Sequence, residues 1–146
     1  MNELTYTTPA HRRPNVAELD RVVTFIEDHP EQHNQSLWIR PDPRDNASEP
    51  WHCGTVGCLA GWTVLLNGWA LVPDDDELVR RGNREESVEN VAEEILGLNH
   101  NQSYVLFHQA QNVDELRLLT DALKSDPHAD IEVIMDNLEY YENYDD

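Results

Sequence analysis

Thr55–Gly68 reads TVGCLAGWTVLLNG, and this stretch decides the fold. It carries no charged residue, which is too apolar for a helix with a solvated face, so it reads as a buried central helix. Thr55 stands where an N-cap belongs and Gly68 where a helix ends. Gly57, Ala60 and Gly61 give that helix a small-residue side. An interior glycine costs roughly 1 kcal/mol against alanine in a helix, so a closely packed neighbour has to offset it.

Upstream, the stretch from Glu31 to Trp51 holds Pro41, Pro43 and Pro50, with Leu37, Trp38 and Ile39 as its apolar cluster. It reads as a long loop pinned to the core by those three side chains. Before it, Asn15 caps VAELDRVVTFIED, whose Val16, Leu19, Val22, Val23 and Ile26 share one helical face, and Pro30 stops it. Downstream, WALVP and ELVRRGN flank the acidic turn Asp74-Asp75-Asp76, a pattern compatible with one small β-hairpin. SVENVAEEILGL follows, with Ser87 as cap and Gly97 at its end, and then a shorter helix behind Asn99. Asn112 and Glu115 form a capping-box pattern at the next helix, and Asp126-Pro127 opens the last one, with Ile131, Ile134, Met135 and Leu138 inward. The expected fold is mainly α, a compact single-domain bundle of about five to six helices. Residues 1–14 read as a flexible N-terminal segment, 15–140 as the α-helical domain, and 141–146 as an acidic tail.

Across 146 residues, 29 acids oppose 10 Lys and Arg, a formal charge of −19. That balance speaks against direct nucleic-acid binding or an anionic membrane, because phosphate recognition needs clustered bases. No apolar run is long enough to span a bilayer, and MNELTYTTPAHRRP lacks the apolar segment of a secretory signal. With two cysteines there is no disulfide framework, so a reducing cytoplasm is the expected setting. No cofactor is expected; the phosphate-binding pattern G-x4-G-K-[ST] is absent.

The segment WHCGTVGCLAGW holds Cys53, Gly54, Thr55, Cys58, Ala60 and Gly61 as Cys-Gly-Thr-x-x-Cys-x-Ala-Gly. In this it resembles a group of small uncharacterised proteins of actinobacteria and their phages. The loop from Pro30 to Trp38, Leu96–Leu98 and Leu106-Phe107 resemble the same group. The resemblance implies a phage-encoded or actinobacterial protein, acting in the host cytoplasm if phage-encoded, and no activity.

Two chemistries compete for this segment. His52, Cys53 and Cys58 supply at most three metal ligands where a closed zinc site takes four, and the spacing selects none of His29, His33, His100 or His108 as the fourth. A thiol near a helix N-terminus also gains thiolate character, so a metal-binding or cysteine-dependent protein is the alternative reading. The plainer one makes Cys58 a small buried hydrophobe and Cys53 its semi-buried neighbour, free or bridged to it. Neither reading assembles a nucleophile, base and oxyanion site, and no catalytic residue is assigned.

Binding of a protein partner is therefore the expected function, with inhibition or modulation of a partner bearing a basic surface as its form. Trp38 and Trp51, beside the Pro-rich loop, are the candidate anchors. From Asn101 to Asp146 there are 11 acids and 2 bases. Asp114, Glu115, Asp121, Glu132, Asp136 and Glu139 are the candidate contact acids of the last helices. Glu85, Glu86, Glu89, Glu93 and Glu94 make a second acidic face on the helix before them. Such acidity ordinarily serves solubility; here it would also attract a basic surface.

Overall fold

The computed structural model describes residues 13–42, 54–73, 75 and 77–144, with side chains through 138. Helix α1 (Val16–Asp28) begins as its sequence dictates: the Asn15 side chain accepts the Glu18 N–H at 3.2 Å. Its buried face is Leu19, Val22, Val23 and Ile26. His29 closes it, and Pro30–Gln32 turn once as a 3-10 helix, since proline offers no N–H to extend the α-helix.

The apolar stretch divides. Ile39–Arg40 (β1) pairs antiparallel with Val56–Gly57 (β2), and helix α2 spans Leu59–Leu66. The N-cap is thus Cys58 rather than Thr55, with Cys58 Sγ accepting the Gly61 N–H at 3.4 Å. Pairing with Ile39 holds residues 56 and 57 extended, so the helix starts only beyond them. All of α2 except Leu66 is buried. It packs on α1 and on α3 (Val88–Leu96), which places it at the centre of the core. The small-residue side is used at Gly61, where a Cβ would lie 2.0 Å from the Trp38 carbonyl oxygen and 2.9 Å from Ile39 Cγ1. The segment that approaches α2 is therefore the Pro-rich loop itself.

Between α2 and α3 lies a three-stranded antiparallel sheet of β3 (Ala70–Leu71), β4 (Leu78–Arg81) and β5 (Arg84–Ser87). The hairpin expected from WALVP and ELVRRGN is its β3–β4 half; the third strand, REES, has no apolar alternation to announce it. Arg80 stands opposite Glu85 in the register and pairs with it across the strands. Glu85 and Glu86 thus belong to the sheet, a correction to their placement on a helical face. Ser87 then caps α3, accepting the Asn90 N–H. Gly97 ends the helix in the left-handed region at φ +66, where a Cβ would meet the Arg13 carbonyl oxygen at 2.4 Å.

Helix α4 (His100–Tyr104) opens with a reciprocal capping box of Asn99 and Gln102, then widens into one π-helical turn over Val105–Gln109. At α5 (Val113–Ser125), Asn112 accepts the Glu115 N–H, but the Glu115 carboxylate accepts the Gln111 N–H, so the expected box is not closed on its cap. Helix α6 spans Ile131–Tyr144 and begins later than Asp126-Pro127, because Asp126 closes α5 and accepts the His128 N–H. Asp130 lies ahead of α6, its side chain accepting the Val133 N–H. Ile131 and Met135 are buried, and Ile134 and Leu138 pack against the core. The fold is mainly α: six α-helices around one core with two small antiparallel sheets among the described residues.

Candidate functional site

The loop from Gln32 to Arg40 is fixed by polar contacts in addition to its apolar side chains. Gln32 donates through Nε2 to the Thr55 carbonyl and accepts the Trp62 indole N–H on its own carbonyl at 2.7 Å. The Asn34 N–H reaches the Gly57 carbonyl, and the Trp38 carbonyl accepts the Cys58 N–H. Gln35 ties three parts together. Its Oε1 accepts the Leu59 N–H at 3.2 Å and meets His33 Nε2 at 2.8 Å, and its Nε2 donates to the Leu106 carbonyl at 2.8 Å. With Oε1 as acceptor, His33 carries its proton on Nε2. Burial pushes the His33 pKa down, which favours that neutral ring. Gln35 thus satisfies the first turn of α2, where backbone N–H groups lack helical partners, and a carbonyl of the π turn.

This arrangement leaves a cleft of about 220 Å³ between the loop and the π turn, with Leu37, Trp38 and Phe107 as its apolar wall and Gln35, Ser36 and His108 as its polar one. Trp38 is half-buried. It meets Phe107 edge-on at a centroid distance of 6.5 Å and His108 edge-on at 5.5 Å. A second cleft of about 260 Å³ shares His108 and is lined by Glu89, Glu93, Ser103 and Tyr104. His108 Nε2 lies 2.8 Å from Glu89 Oε2. Glu93 is buried, accepting the Ser103 hydroxyl at 2.6 Å and facing His100 Nδ1 at 3.1 Å. The Ser103 hydroxyl and the His100 ring both address the same carboxylate oxygen, and Ser103 otherwise meets His100 only at its backbone carbonyl, at 3.1 Å, so this is a structural link between α3 and α4 and no nucleophile–base pair.

The sequence-derived candidates fall in separate places. Trp38 forms a cleft wall instead of standing free in solvent. Trp51, His52 and Cys53 lie outside the described residues, as does the Glu139 side chain. Asp114 and Asp121 on α5 and Glu132 and Asp136 on α6 are exposed, and none of them lines the Trp38 cleft. Glu115 does not belong with them: it is buried at 8 % exposure and spends its carboxylate on the Gln111 N–H. Glu93 leaves the second acidic face for the same reason. Asp121 belongs to a network around Arg117, whose guanidinium reaches Asp20 at 2.6 Å, Glu27 at 2.8 Å and Asp121 at 3.3 Å. Hydrogen bonds from Arg117 hold the Asp20 and Glu27 carboxyls below the usual range.

Cys58 is unbridged and buried. Burial pushes its thiol up to about 11, outweighing the backbone N–H groups at the helix start that pull the other way. The expected activation by the helix N-terminus is therefore overcome by desolvation at this cysteine. Among the described residues no group of three or more His, Cys, Asp or Glu is placed to hold a metal ion. Among them, too, no helix is long and apolar enough to cross a membrane.

Gln35 went unmarked in the sequence, His108 stood there only among possible metal ligands, and Glu89 and Glu93 stood there only as part of an acidic face. The π turn that presents His108 has no sequence signature, and the role of Gln35 exists only once loop, α2 and π turn have met. No family model, curated protein or solved structure matches the chain.

Proposed function

We propose that this chain is a non-enzymatic acidic protein of phage or actinobacterial origin that acts in the cytoplasm by binding another protein, as an inhibitor or modulator of a partner with a basic surface. Direct contact with nucleic acid is no part of this reading. One observation carries it. Arg21, Arg80, Arg84, Arg117 and Lys124 are each paired with carboxylates of the chain itself. Among the described residues, Asp114, Glu132 and Asp136 form no ion pair and stand exposed on α5 and α6. The surplus charge is thus left facing outward, where it raises encounter rates with a basic surface in a salt-dependent way.

The test starts from the tagged full chain and a basic protein that it captures from an actinobacterial lysate. Replacing Asp114, Asp121, Glu132 and Asp136 by Asn or Gln should slow association several-fold at low salt and much less at high salt. Association that is unchanged at both salt levels would confine the acidity to solubility and remove this reading.

A further inference from the structure

Two clefts meet at one side chain. On one side of His108 the walls are apolar, from Leu37, Trp38 and Phe107; on the other they are acidic, from Glu89 and Glu93. Neither cleft is lined by a Lys or Arg among the described residues. Tyr104, 55 % exposed and tilted against His108 with centroids 5.5 Å apart, adds an accessible ring face to the acidic half. The walls are well held: Gln35 ties the loop to α2 and to the π turn, and Ser103 and His100 fix the Glu93 carboxylate.

We infer that the paired clefts form a docking groove for a peptide segment of the partner that carries a large apolar side chain close to an arginine. The apolar residue packs on the wall that Leu37, Trp38 and Phe107 form together. The guanidinium crosses His108 to reach Glu89 and lies over Tyr104. Arginine suits this half better than lysine, since a planar guanidinium both forks onto a carboxylate and stacks on an aromatic face. Charge complementarity selects the occupant: a wall that presents the Glu89 carboxylate and holds no Lys or Arg among the described residues repels an acidic segment and leaves a purely apolar one with an unused polar half. The inference rests on the protein-binding reading above and gives it a site and a partner chemistry.

The experiment immobilises the full chain and selects from a displayed library of random dodecapeptides. The groove predicts enriched sequences with Leu, Phe, Trp or Met within a few positions of Arg. A synthetic peptide of that kind should bind about tenfold more weakly to Glu89→Gln, the loss of one charge-assisted contact. Ser36→Trp, an exposed position on the cleft rim, should block it without touching the core. Asp114, Glu132 and Asp136 line neither cleft, so replacing them by their amides should weaken the peptide far less than Glu89→Gln does. No enrichment, enrichment of acidic or base-free peptides, or binding that survives both Glu89→Gln and Ser36→Trp would each overturn the groove. If the groove fails while neutralising α5 and α6 still slows association with a captured basic protein, the broader reading stands without it. If that association is also insensitive, both fall.

Discussion

Helices α2 and α5 belong to the same core but are held in different ways. Seen from α2, protein lies on every side: its side chains are buried almost throughout, its backbone touches the Trp38 carbonyl at Gly61, and its first turn is satisfied by Gln35 and Cys58. α5 has one buried face of Leu116, Leu119 and Leu123, and its outer face carries charge and an Arg117 network. The difference predicts where substitutions act. Changes at α2 and its loop should cost stability, and changes on the outer faces of α5 and α6 should act on association.

The largest loss of stability is expected at Gly61. Alanine there puts its Cβ against backbone, which cannot move aside as a flexible side chain would. Gly61→Ala should lose about 3 kcal/mol of unfolding free energy, with strain at the loop contact as the cause. A denaturant midpoint indistinguishable from the parent would mean that the loop does not press on α2 as described.

Gln35 comes next. Gln35→Ala strands the Leu59 N–H and the Leu106 carbonyl at partly buried positions, for an expected loss of about 2 kcal/mol. Amide exchange should rise at Leu59. If water takes over both contacts, stability and exchange will stay near the parent values, and the loop is then held by its apolar side chains alone.

The Arg117 network should contribute less, because it is partly exposed and screened by salt. Arg117→Gln is expected to cost about 1 kcal/mol near neutral pH. Its pH dependence has a defined sign. Asp20 and Glu27 are held below their unfolded values, so their contribution is full above the ordinary carboxylate range, near about pH 4, and fades as pH falls through the depressed native values. Parent and variant midpoints should therefore differ at neutral pH and converge in acid. A gap that persists in strong acid would assign the effect to packing of the Arg117 stem.

Much of this contrast was legible from residue order. The caps Asn15, Ser87 and Asn112 and the inward faces of α1 and α6 follow from local chemistry and helical period, and the structure keeps them. The small residues foretold a close neighbour for α2. What they could not name was the neighbour, since that contact joins the helix to a loop some twenty positions away. The same limit hid β2, whose extended backbone is imposed by pairing with Ile39, and the third strand, made of charged residues that a period-of-two reading discards. The candidate site was legible only as Trp38. Gln35 and His108 acquire roles from tertiary contact, and Glu115 and Glu93 looked like surface acids because sequence does not show a carboxylate turning inward to meet a backbone N–H or a serine hydroxyl.

The smallest stability effect is expected on the outer face, where it discriminates most. Asp114, Glu132 and Asp136 make no ion pair among the described residues, so replacing all three by amides removes no attraction within the fold. Asp114 and Glu132 do sit in the first turns of α5 and α6, where a carboxylate gains a few tenths of a kcal/mol from the helix dipole. Against this, a chain with a net charge of −19 repels itself, and removing three charges relieves part of that repulsion. The two effects oppose each other at similar size, so the midpoint should move by no more than about 0.5 kcal/mol. Thermal melts at low and high salt check the balance: relief of repulsion should show at low salt and vanish at high salt. A loss well above that bound at both salts would mean that these carboxylates help hold α5 and α6 in place, and the division of labour between the two helices would not hold.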